Sequence, residues 1–200
     1  MIRPATSADA AAIAQIHVTA WRQSYGGLLP DAMIAAHTIA SRTALWQQIL
    51  AAPATAGGAV FVAEEDRGIV GFGACGPQRT PELQWSGYGA EIGALYVLAD
   101  AHGRGLGTAL LAALAQALRH QGHDAVSLWV LRTNTLARRF TRGAAARSSL
   151  RPTTDRPAPK SPMAGATSTS SPVAAPRPRP VRPAPDRPRL CGRARVRRTA

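Results

Sequence analysis

Along the first 140 positions the spacing of apolar side chains keeps changing, and each change marks an element. Ile2-Arg3-Pro4-Ala5 suits a short opening strand. Ile13, Ile16, Ala20 and Trp21 then recur at helical spacing, predicting a helix to about Arg22 with Ser7 as N-cap and Asp9 in its first turn. Tyr25 to Asp31 interrupts it, and Pro30 suits the first position of a second helix carrying Met33, Ile34 and His37. Leu45, Trp46 and Ile49 lie on a third. Beyond them, Val60–Glu64 and Ile69–Ala74 flank Glu65-Asp66-Arg67-Gly68, a hairpin signal. Pro77 to Gly87 is polar and broken by proline, and reads as loop. Glu91 to Leu98 is a short apolar run ending in β-formers, predicting a strand covered on both faces. Leu106, Leu110, Leu114 and Leu118, with Leu111 beside them, give the next helix one apolar face, and Gly122 stops it. Ala125 to Leu131 reads as a fifth strand, and Thr135 to Phe140 as the start of a last helix. The order predicts an α/β (α+β) domain with a mixed central sheet.

Between the fourth strand and its helix lies Ala99-Asp100-Ala101-His102-Gly103-Arg104-Gly105-Leu106-Gly107-Thr108. Alternating glycines let a backbone curl until successive N–H groups face one anion. The helix start adds unsatisfied N–H groups and the positive end of a dipole. Strand, turn and helix together predict a pyrophosphate site. A P-loop would need a lysine after Gly-x4-Gly, and none follows here; a dinucleotide turn would read Gly-x-Gly-x-x-Gly, whereas this one reads Gly-x-Gly-x-Gly.

That spacing resembles the acetyl-CoA signature of the GNAT superfamily of N-acetyltransferases, Gln/Arg-x-x-Gly-x-Gly/Ala after the fourth strand. Gly105-Leu106-Gly107 supplies the glycine part, and His102 stands where Gln or Arg is expected. Glu91 to Val97, the stretch Trp21…Tyr25-Gly-Gly-Leu-Leu-Pro-Asp…Trp46, and Asn134-Thr135-Leu136-Ala137-Arg138-Arg139-Phe140 are also similar to the family. The resemblance implies a GNAT-like acyl-CoA N-acyltransferase fold whose fourth and fifth strands splay apart. It implies acetyl-CoA as cosubstrate, its diphosphate on the amides around Gly103, Arg104, Gly105, Leu106, Gly107 and Thr108, beside His102. Leu95, Tyr96 and Val97 would pair with the pantetheine amides, and Asn134 would contact the pantetheine or the thiol. Glu91 is the candidate general base, acting through water. The rival role for it is an ion pair with a basic neighbour, and Glu82 and Tyr88 are alternative bases. Trp85 and Tyr88 are candidate ligand contacts. Many relatives take their general acid from a tyrosine after the phenylalanine of the last helix; Thr141 stands there, and its hydroxyl cannot replace a phenol.

Composition divides the chain. Residues 1–140 hold every aromatic side chain, ten of the 24 basic and nine of the 11 acidic residues, a net of +1. Residues 141–200 carry +12 and 11 of the 16 prolines, with no apolar periodicity. Such a segment cannot offset an ordering cost of roughly 1–2 kcal/mol per residue, so a disordered tail lacking the family's last strands is predicted. The loss of pattern inside a recognisable motif suggests a shifted reading frame near Phe140, which an intact frame in the resequenced locus would refute. Two cysteines imply no disulfide framework. The start lacks a signal-peptide core and no apolar run is long enough for a bilayer, so a cytoplasmic location and no membrane partner are expected. The histidines are not spaced as a metal site, and no metal is expected. The primary reading is an N-acetyltransferase acting on an amine, with domain 1–140 and tail 141–200. The alternatives are an acyl-CoA binder impaired in turnover and a nucleic-acid-associated protein working through its basic tail. The acceptor (small molecule or protein N-terminus) and a homodimer stay open.

Overall fold

A computed structural model describes residues 1–52 and 57–145. Five strands form one sheet in sequence order: β1 (Ile2–Pro4), β2 (Ala59–Glu65), β3 (Gly68–Pro77), β4 (Ala90–Val97) and β5 (Val126–Leu128). The first four pair antiparallel, and β4 and β5 pair parallel. Between β1 and β2 come α1 (Ala10–Tyr25), α2 (Asp31–Ala35) and α3 (Ile39–Ala51); α4 (Pro81–Trp85) precedes β4, α5 (Leu106–His120) joins β4 to β5, and α6 (Thr135–Ala145) follows.

Strand alternation sorts the core onto two faces. Phe72, Val62, Ala94 and Tyr96 pack with Ile13, Ile16 and Trp46 of α1 and α3. Leu95, Ile92 and Cys75 pack with Leu111, Leu114 and Leu118 of α5. Gly73 allows the close approach of α5, since a Cβ there would stand 2.7 Å from Leu114 Cδ1. Leu110, Leu114 and Leu118 are fully buried, each contributing about 1.5–3 kcal/mol of transfer free energy.

Leu95 and Ile92 share a face although they stand three positions apart, an odd offset that alternation would send to opposite faces. The β3–β4 register explains this: Ala74 faces Ala94 while Cys75 faces Ile92, leaving Gly93 as an extra residue in β4. The bulge reverses the side-chain alternation before it, so Glu91 points to the α1 face.

Several elements differ from expectation. Thr6, not Ser7, opens the first helical turn, its amide donating to Asp9 Oδ2 at 2.7 Å. The expected loop from Pro77 to Gly87 contains α4, with Pro81 in its first turn. The fifth strand is only Val126–Leu128, because β4 pairs with it no further than Ile92↔Leu128. α6 runs past Phe140 to Ala145. The expected tail from position 146 lies outside the described residues.

Candidate active site

β4 ends at Val97, a short 3-10 turn covers Ala99–Ala101, and α5 starts at Leu106. Gly103 (φ 76°) and Gly105 (φ 77°) both take the left-handed conformation that curls the chain here. From Gly105 to Thr108 no backbone N–H donates to an acceptor among the described residues. Four consecutive donors therefore sit at the positive end of a 15-residue helix, a geometry that suits a diphosphate. The turn is held from outside. Arg104 forks onto Glu65 at 2.9 and 3.1 Å and onto the Asp100 carbonyl at 2.9 Å, while Arg67 meets Asp100 at 2.6 Å. What Arg104 can offer a ligand is its amide, its guanidinium being engaged. His102 Nε2–H donates to the Val97 carbonyl at 2.9 Å, tying the turn to the end of β4. Phe140 of α6 covers Gly107, where a Cβ would stand 3.4 Å from its ring.

The pairing between β4 and β5 covers only Ala90–Ile92, so the strands part at the Gly93 bulge. Beyond that point one edge of β4 has no strand partner among the described residues. Leu98 N–H donates to the Val70 carbonyl at 2.9 Å. Counting back in twos, Tyr96 turns its backbone groups to β3, whereas Leu95 and Val97 present theirs to the open edge. An extended ligand can add there as a strand would. Tyr96 faces the other way, into the α1 side, and Val97 has its carbonyl occupied by His102.

Glu91 is buried beside the bulge, and Arg79 Nε and Nη2 both bond its Oε1. Its Oε2 accepts from the Arg79 amide at 3.3 Å. A Cβ on Gly93 would stand 3.3 Å from Arg79 Nη2 and 3.8 Å from Glu91 Oε1, so the pair overlies the point where β4 leaves β5. Next to it, Gln78 donates to the buried Ser127 hydroxyl, and its Oε1 accepts from Thr80 N–H at 3.0 Å. Glu82 is exposed on α4, and Trp85 beside it is 83% exposed. Tyr88 is half-buried, its amide on the Leu83 carbonyl at 2.9 Å. Asn134 caps α6, its Oδ1 accepting from Ala137 N–H at 3.0 Å. Thr141 is buried and donates its hydroxyl back to the Arg138 carbonyl at 3.1 Å.

On the α1 face, His17 is buried in a cluster of rings. It stacks on Tyr96 at 5.2 Å, and its Nδ1 accepts from Trp46 Nε1–H at 3.1 Å. Burial, with Arg42 and His37 nearby, pushes its imidazole down to about 4, so it is neutral at pH 7. Trp21 stacks on His37 at 4.0 Å. Among the described residues no group of three metal-ligating side chains gathers anywhere, and no helix is long and apolar enough to cross a membrane.

The model of the acetyltransferase (GNAT) family matches residues 13–144, about two-thirds of the chain. The chain belongs to this family. Membership makes it an enzyme of the acyltransferase type that uses an acyl-CoA. It is 31% identical over 134 residues to an uncharacterised N-acetyltransferase of Bacillus subtilis, YuaI, covering 66% of this chain and 72% of that one. The fold is similar to that of the PaiA N-acetyltransferase from Thermoplasma acidophilum, solved in complex with coenzyme A (TM-score 0.58, 18% identity, 72% of this chain and 86% of that chain). It is also similar to a ribosomal-protein-alanine N-acetyltransferase from Brucella melitensis (TM-score 0.51, 19% identity, 72% and 88%). Among the site's residues, Arg79, Gln78 and Ser127 carry no signal in the linear sequence. Twelve positions separate Arg79 from Glu91, and only the β3–β4 register brings them together.

Proposed function

We propose that this GNAT enzyme moves an acetyl group from acetyl-CoA to a primary amine of a small molecule or a protein N-terminus. The observation that carries the proposal is the row of unengaged amides from Gly105 to Thr108 at the start of α5, in line with the open edge of β4. Acetyl-CoA supplies the activated thioester. The chain binds its diphosphate at the α5 amides and its amide-bearing arm along Leu95 and Val97. That placement brings the reacting carbonyl to the Gly93 bulge, where a backbone N–H free of the ladder can polarise it.

Glu91 faces the α1 side at the same point and takes the proton released by the amine, through water. Arg79 fixes its orientation and keeps one lone-pair direction of Oε2 in use. Thr141 supplies no acid, its hydroxyl being given to Arg138, so the departing thiolate is protonated from solvent. That missing phenol also favours the second reading, an acyl-CoA binder with little turnover.

Thiol release from acetyl-CoA, measured across an amine panel, tests the proposal. Release that depends on both components supports it. Calorimetric binding of coenzyme A with no release for any amine would favour the binder, and no binding would reject both. In the same assay Glu91→Gln is expected to lower kcat/KM by about a hundredfold or more, the usual scale for one general base. An unchanged kcat/KM would leave Glu91 as only the partner of Arg79.

A further inference from the structure

On the α1 face of the sheet, two buried donors reach no acceptor among the described residues: Trp21 Nε1 and Arg42 Nε. Both belong to groups that can only donate. Among the described residues Arg42 takes part in no ion pair. A half-buried guanidinium without a counter-charge is unfavourable unless something else supplies the anion.

The two orphans share one neighbourhood. Trp21 stacks on His37 at 4.0 Å and meets Tyr25 edge-on at 4.9 Å. Arg42 acts electrostatically on His37, His17 and Tyr96, and Tyr25 acts on the Tyr96 phenol as well. Burial lowers both imidazoles and raises the Tyr96 phenol, so at neutral pH Arg42 is the one charged group of the cluster.

We infer that Trp21 and Arg42, walled by Tyr25, His37 and Tyr96, form a subsite for a carboxylate carried by the acceptor amine. The inference rests on the acetyl-transfer reading and names the acceptor class for it. The coenzyme's phosphates are not the anion, because their amides open from α5, on the opposite face of the sheet. The acceptor side is the right one, since Glu91 faces it too. Tyr96 stands three residues along β4 from the Gly93 bulge, roughly 10 Å at strand rise, so amine and carboxylate lie well apart on the acceptor. An ω-amino carboxylate or an extended peptide meets that spacing better than a free α-amino acid. The planar fork of arginine suits a carboxylate's two oxygens, and the indole N–H adds a third donor.

The test compares glycine, 4-aminobutyrate and 6-aminohexanoate with their carboxamides as acceptors for the full-length chain, by thiol release from acetyl-CoA. The longer acids are expected to exceed their amides at least tenfold in kcat/KM, and Arg42→Gln to erase that preference without abolishing release from the amides. Equal rates for acid and amide, with release occurring, would overturn the subsite and leave the transfer reading intact. A second readout needs no turnover: the Trp21 indole N–H resonance, assigned with Trp21→Phe, under titration with hexanoate and with hexanamide. A shift with hexanoate alone, lost in Arg42→Gln, supports the subsite even if no amine is acetylated. No shift with either, as when a buried water already meets both donors, would overturn it.

Discussion

Single residues in this protein carry opposite duties on the two faces of the sheet. Gly105 holds φ 77° at the mouth of α5, where any side chain adds strain of about 1–2 kcal/mol. Gly105→Ala is therefore expected to weaken coenzyme A binding about tenfold in calorimetry; unchanged affinity would mean the curl is dispensable. His17 sets a pH dependence. Its imidazole titrates near 6.5 when unfolded and near 4 in the fold, so the unfolded chain binds the proton first. Stability then falls as pH drops from 6.5 to 4, by on the order of 2 kcal/mol after allowance for solvent screening. Asp9, held low mainly by the Arg3 guanidinium, adds a further loss once pH falls below 3.8. Urea unfolding at pH 7 and pH 4.5 measures the His17 part. His17→Asn, which keeps an acceptor for Trp46 and cannot be protonated, should flatten the difference.

Elements differ in how much of them could be read before the fold was known. α5 was legible at both ends: its leucine face, its glycine-rich entry and its stop at Gly122 are all local signals. At that stop Gly122 has φ 85°, its N–H bonds the Arg119 carbonyl, and His123 N–H bonds that of Leu118, a Schellman closure. Gly122→Ala should lower stability by about 1 kcal/mol, read as a shift in urea midpoint at constant slope. α4 was not legible, because five residues are too few for a helical period and its sequence is polar. β5 came out shorter than its apolar run, since a strand ends where its partner leaves and the Gly93 bulge sends β4 away. The same bulge decides which face Glu91 takes, and a one-residue shift leaves no mark in an apolar stretch. The site divides the same way. The curled amides expected from Gly103 to Thr108 rest on adjacent residues. An ion pair of Glu91 was expected only as a rival role, without its partner Arg79, and the Trp21–Arg42 cluster, which joins distant segments, was not expected at all.

At the scale of the molecule, the sheet separates two kinds of surface. Under the proposed reading phosphate and amide binding belong to α5 and the open edge of β4, and the ring cluster of α1 and α3 lines the opposite face. In the proposed reading the two sides meet where β4 and β5 part. A ligand that bridges α5, β4 and the Phe140 ring of α6 should stabilise the whole domain. Coenzyme A at one hundred times its dissociation constant is expected to add about 2.7 kcal/mol, seen as a rise in Tm.

The central claim is that the amides at the mouth of α5 grip the diphosphate, and ¹H–¹⁵N spectra of the full-length chain titrated with coenzyme A test it most directly. The account predicts that Gly105, Leu106, Gly107 and Thr108 show the largest downfield amide shifts, saturating together. Binding that leaves those four resonances in place while others move would contradict it.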